Sequence, residues 1–227
     1  MPISNPQELQ ESQSDDTLPA ADKPVLQRRV PLQQRGQQTL DQILHAAQQV
    51  IATEGLDKLT TKRVATEAGL SVGSVYEYFP NKEAVLCALV RQWFDQLVQV
   101  LDAHHPSRTG VRDLLRYLEE SLDAVRQVYV DQPALGALIS ALEAIPDLQD
   151  LVVQHDERIT AAVADACSVI VPTVALEDLR DFARSVSLMS HEFLSEALVR
   201  NPARATQITR HMKVCLFALI SQVLLLR

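Results

Sequence analysis

An all-α fold is predicted by three observations. Apolar residues recur at helical spacing from Thr39 to the end of the chain, no stretch keeps the alternation of a strand, and glycine is scarce, with six in 227 residues. Proline stands at or near each junction of the second half, at Pro106, Pro133, Pro146, Pro172 and Pro202, where it ends one helix and sets up the next. At 47% hydrophobic, the chain has room for a small helical head and a second domain with a core of its own.

The first helix is predicted from Thr39 to Glu54, with Ile43, Leu44, Ala47, Val50 and Ile51 on its inner face and Gly55 as its stop. In "LTTKRVATEAG", Thr60 caps a second helix, Val64, Ala65 and Ala68 face inward, and Gly69 ends it. Ser71 caps a third helix that runs to about Phe79 before Pro80, and Asn81 caps a longer fourth through Leu101. A polar break follows at His104 to Gly110, in which His104 and His105 are expected to be solvated. Five longer helices are then predicted: Val111 to Val130, Pro133 to Ala144, Asp147 to Ile170, Leu176 to Arg200 and Pro202 to Leu226.

Charge divides the chain unevenly. The net charge of −8 is made of −5 over residues 1–22, +3 over 23–91 and −6 over 92–227. A protein that coats nucleic acid or an anionic membrane over most of its surface is thereby excluded, while a local basic face is not. Lys23, Arg28, Arg29 and Arg35 precede the first acid of the middle block, Asp41, and read either as a solvated lead-in or as an arm for nucleic acid. The N-terminal stretch lacks the basic and apolar regions of a signal peptide. The longest apolar run, Val214 to Leu226, is too short to span a membrane, so no membrane partner is expected. Cys87, Cys167 and Cys215 are widely spaced and odd in number, which fits a reducing, cytoplasmic setting and neither a disulfide framework nor a zinc motif.

The short second and third helices, joined at Gly69, have the length and turn chemistry of a helix-turn-helix, whose second helix enters the major groove of DNA. Steps of about 100° around the third helix point Val75 and Phe79 into the head. Val72, Gly73, Tyr76 and Glu77 then share an outward sector, with Gly73 removing bulk where DNA would approach.

From Arg35 to Leu89, "RGQQTLDQILHAAQQVIATEGLDKLTTKRVATEAGLSVGSVYEYFPNKEAVLCAL" resembles the N-terminal domain of the TetR family of bacterial transcriptional regulators. The spacing from Gly55 to Thr60, the "AGLSVGSVYEYF" core and the "NKEAVL" opening of the fourth helix carry the likeness, over about a quarter of the chain. Charge and composition give a disordered lead-in and basic arm over 1–34, and the resemblance implies a DNA-binding domain over 35–82 and an effector-binding and dimerisation domain over 83–227. It further implies DNA contacts at Thr61, Lys62, Val72, Gly73, Ser74, Tyr76, Tyr78 and Lys82. Tyr76, Tyr78, Ser74, Thr61 and Lys82 have the chemistry to reach phosphates, Val72 to touch a thymine methyl, and Lys62 to donate to guanine.

By the same resemblance, the C-terminal helices form a homodimer seam and enclose a pocket for a small-molecule effector whose identity the sequence does not give. Leu188 and Leu198 on one helix, with Leu216, Leu219, Ile220, Val223 and Leu224 on the last, have packing spacing for the seam. Trp93, Phe94, Tyr117, Tyr129, Met189, His191 and Phe193 are candidate pocket residues, bulky or polar groups on apolar helix faces, although ordinary core packing is the plainer account of each. His191 with Glu192, and His155 with Asp156, lack the i+4 partner of a metal-binding HExxH helix. The expected function is a DNA-binding transcriptional regulator, by family habit a repressor of a palindromic operator, with no cofactor. The alternatives are a regulator answering to a protein partner and a metal-dependent hydrolase. A cavity of several hundred Å³ in the second domain would favour the small ligand.

Overall fold

A computed structural model describes residues 34–225. Among them are ten α-helices and no strand: α1 (Gln34–Glu54), α2 (Thr61–Ala68), α3 (Val72–Tyr78), α4 (Lys82–Ala103), α5 (Pro106–Thr109), α6 (Leu114–Val130), α7 (Leu135–Ala144), α8 (Gln149–Ile170), α9 (Leu176–Ser195) and α10 (Ala205–Leu224). Arg28 and Arg29, and with them most of the expected arm, lie outside the described residues.

Side-chain caps set the boundaries of the head. Thr60 accepts from the Arg63 N–H, Ser71 from Ser74 and Asn81 from Ala84, so each of α2, α3 and α4 starts on an oxygen that satisfies an orphan amide. Helix α2 ends in a Schellman turn: Leu70 N–H bonds Ala65 O at 2.9 Å and Gly69 N–H bonds Thr66 O at 3.2 Å, with Gly69 at φ 64°. Only glycine adopts that conformation at little cost. From α1, the Gln42 amide donates to Ala68 O at 2.6 Å, which ties the end of α2 to the helix beneath it.

One apolar core runs from Leu40 to Val223 without a break. Helix α4 joins its two halves, because its first turns pack on α1 and its later turns on α6 and α8. The α8–α9 hairpin, closed by the short connection 171–175, supplies the largest helix contact of the body. Helix α9 runs on through a π-helical turn, Glu196–Arg200, and Val199 of that turn leaves only 3.3 Å for a Cβ at Gly136.

The polar break is more ordered than its composition suggests. Pro106 opens the single turn of α5, His104 Nδ1 meets Val100 O at 2.8 Å, and His105 receives the Ser107 N–H and lies 3.2 Å from an Asp165 carboxylate oxygen. Both histidines, expected in solvent, are therefore partly buried and bonded.

Candidate nucleic-acid interface and interior cavity

Helix α3 presents the outward sector that its spacing predicts. Val75 and Phe79 are fully buried, while Val72 (38% exposed), Gly73, Tyr76 (44%) and Glu77 face solvent. A Cβ built on Gly73 would meet only the Ser71 hydroxyl, at 3.7 Å, so nothing inside the protein requires glycine there. Glycine in a helix costs up to about 1 kcal/mol relative to alanine, less in a first turn such as this one, and this one gives the fold nothing in return.

The remaining expected contacts divide by exposure. Lys62, Lys82 and Arg35 are exposed, and Ser74 is half-buried with its hydroxyl 2.8 Å from that of Ser71. Two residues lie further inside than their types suggest. Thr61 is buried at the start of α2, and Tyr78, 4% exposed, packs into the core with its hydroxyl donating to Gly36 O at 3.4 Å. Arg63 is held between Glu54 and Glu67, the latter at 2.8 Å, hydrogen bonds that raise its already high pKa. Its charge is thereby spent within the head, and Lys62 beside it is left as the exposed cation of α2.

Between α4, α6, α8 and α9 lies a cavity of about 440 Å³, within the range of small-molecule sites. Of the seven candidate lining residues, Phe94, Tyr117, Tyr129 and His191 line it. Trp93, Met189 and Phe193 do not: Trp93 is fully buried behind the wall, with its ring centroid 5.1 Å from that of Tyr129, and Met189 and Phe193 are half-buried on other faces of α9. The wall also contains Ser121 and Ser190, which their spacing alone did not single out, and His155 with Asp156, which the sequence offered only as a pair lacking a metal-binding partner. Polar residues on the inner face of an amphipathic helix are the signal that could have found them.

The polar groups of the wall are unusual in their bonding. Tyr129 and His191 pair at 2.7 Å between the hydroxyl and Nδ1. His155 Nδ1 and Ser190 Oγ are buried without a hydrogen-bond partner, and Tyr117 Oη and Ser121 Oγ, close enough to act on each other, are buried without a well-formed one, a state that natural cores seldom tolerate. The His155 ring stacks on Phe94, with centroids 3.8 Å apart. Burial, with the nearby Arg158 charge, lowers its pKa to about 4, so it is a neutral imidazole at pH 7. Burial raises the pKa of both Tyr117 and Tyr129, which stay protonated, and raises that of Asp156. Among the described residues no three His, Cys, Asp or Glu side chains are grouped to hold a metal, and no helix is long and apolar enough to cross a membrane.

The proposed seam is corrected by the packing of α10. Leu216, Ile220 and Val223 are buried in the protomer's own core, and Leu198 and Leu219 pack half-buried against it. Leu188 and Leu224 are exposed as expected, but the outer face of α10 also carries Val214 (64% exposed), Phe217 (59%) and the exposed Cys215 and Ala218. Helix α10 is apolar on both sides, and its spacing did not say which side the chain itself would cover.

Residues 43–89 match the family described as "Bacterial regulatory proteins, tetR family". The nucleoid occlusion factor SlmA of Haemophilus influenzae (strain PittGG) is 26% identical over 122 residues, 53% of this chain and 54% of that protein. A fatty acid metabolism regulator protein of Bacillus subtilis is 34% identical over 74 residues, 33% of this chain and 38% of its own length. The chain thus spans about half the length, or less, of these curated relatives. A TetR transcription regulator from Haloarcula marismortui shares the fold, with a TM-score of 0.66 at 17% identity over 82% of this chain and 98% of that one.

Proposed function

Since the chain belongs, through residues 43–89, to the tetR family of bacterial regulatory proteins, we propose that it is a homodimeric repressor released from a palindromic operator by a small-molecule effector. The observation that carries the effector is the cavity of about 440 Å³ with four polar atoms in its wall that lack a well-formed hydrogen bond. A regulator answering only to a protein partner does not need such a space. On the DNA side, α3 enters the major groove with Val72, Gly73 and Tyr76 toward the bases and backbone, and Lys62, Lys82 and Arg35 neutralise phosphates.

One short recognition helix is too small for a specific site, so two heads must stand about 34–36 Å apart to meet successive major grooves. The outer stripe of α10, Val214, Phe217 and Leu224, with Leu188 of α9, supplies the apolar surface for the second copy. An effector acts by favouring a dimer whose heads are wrongly spaced, and a difference of about 1.4 kcal/mol between the two states changes occupancy tenfold.

The test is to select genomic fragments with the purified protein, sequence them, and titrate the selected site. Palindromic half-sites about one helical turn apart, bound by a dimer, are expected. Tight, specific binding by a monomer would overturn the dimer and with it the spacing mechanism.

A further inference from the structure

The under-bonded atoms of the cavity fall into two groups set well apart. Tyr117 and Ser121 stand one turn from each other on α6, whereas His155 and Ser190 stand on α8 and α9 beside Tyr129 and its partner His191. Tyr129 shares the inner face of α6, so at 1.5 Å per residue it lies about 18 Å from Tyr117 and about 12 Å from Ser121 along the helix. The wall between the two groups is apolar, with Leu122, Val125, Ile159 and Val186.

Charge in the wall is one-sided. Among the described residues, no lysine or arginine lines the cavity. Arg158 and Arg200, on the flanking turns, bond Asp95 at 2.8 Å and Glu192 at 3.1 Å. Among the described residues, the acids of the wall are the half-exposed Asp156 and the exposed Glu192.

We propose that the cavity takes an elongated, uncharged, mostly apolar molecule carrying a hydrogen-bonding group at each end. An anion would lose its water beside Asp156 with no cation among the described lining residues to receive it, the exposed Arg184 acting already on the Asp156 carboxyl, which is the costly case of burial. A cation would find its acids only toward solvent, one of them already bonded to Arg200, and would leave the deep groups unanswered. Those groups are two serine hydroxyls, a phenol and an imidazole nitrogen, and an uncharged polar end at each site gives them the hydrogen bonds they lack.

The inference rests on reading the cavity as an effector site, and the experiment separates the two. The full chain is titrated with four probes of one chain length: decanediol hydroxylated at both ends, decanol, decanoate and decyltrimethylammonium. Binding is followed by calorimetry and by the fluorescence of Trp93, the chain's one tryptophan, whose ring touches the Tyr129 ring of the wall. The diol is expected to bind tightest, with decanol about tenfold weaker for the loss of one buried hydrogen bond, and decanoate and the ammonium weaker still. Tyr117→Phe and Ser121→Ala should narrow the gap between diol and decanol, while circular dichroism checks that each variant is folded. Decanoate or the ammonium binding as tightly as the diol, equal affinity for diol and decanol, or no saturable signal from any probe would overturn the ligand class. Saturable preference for the diol with unchanged operator affinity would uphold the ligand class and sink the regulatory reading instead.

Discussion

Gly73 is where fold and function pull in opposite directions. Because its Cβ position is open, Gly73→Ala is expected to raise the stability of the head by up to about 1 kcal/mol through helix propensity alone. The same methyl stands on the face offered to DNA, so operator affinity should fall. A thermal melt and an operator titration on one preparation test both signs, and a variant more stable with undiminished binding would take Gly73 out of the interface. His155 gives a second residue-scale prediction. Its folded pKa, about 4, lies below the ordinary 6.5, so the unfolded chain takes up a proton that the folded one refuses. The stability due to the neutral ring is whole above pH 6.5, declines as pH falls and is lost below about 4, by on the order of 3 kcal/mol at most. His155→Phe keeps the stack on Phe94 and should show a smaller fall in melting temperature between pH 7.5 and 5 than the parent; parallel falls would refute the assignment. The sequence displayed Gly73 plainly, as a helix breaker in a capped helix. It could not display His155, whose character comes from Phe94 and Arg158 on other turns and helices.

Among elements, legibility followed the range of the forces involved. Helices α2, α3 and α4 begin where Thr60, Ser71 and Asn81 stand, because a cap is settled by its own oxygen and an amide three residues on. Tyr78 and α10 are less legible, since their orientation depends on partners far along the chain. Tyr78 turns inward because Gly36 of α1 offers a carbonyl, and α10 lays Leu216, Ile220 and Val223 inward because α9 and α6 cover that side. The two faces of α10 should therefore respond differently to charge. Phe217→Glu is expected to leave helicity intact and to yield monomers in sedimentation. Leu216→Glu buries an unpaired carboxylate, at a cost of several kcal/mol, and should unfold the protomer. A folded Phe217→Glu dimer of wild-type affinity would place the seam elsewhere.

At the scale of the molecule, the charge map sets how the proposed regulator would meet DNA. On the proposed function, a chain of net charge −8 is repelled by the duplex overall and docks through a few cations on the head. Lys82→Ala should accordingly weaken binding to all sequences alike and reduce the salt slope by about one unit. An unchanged slope at low salt would remove Lys82 from the phosphate contacts. Helix α4 carries a consequence of another kind. It buries Ala84, Val85 and Leu89 near the head and Phe94, Leu97 and Leu101 in the cavity region, so neither part holds a core that survives loss of the other. Scanning calorimetry should then record a single heat-absorption peak, with the calorimetric and van't Hoff enthalpies in agreement for the cooperative unit. A molecule that melts as one body also registers anything that fills its interior as an upward shift of that single peak, measured even where no DNA is present.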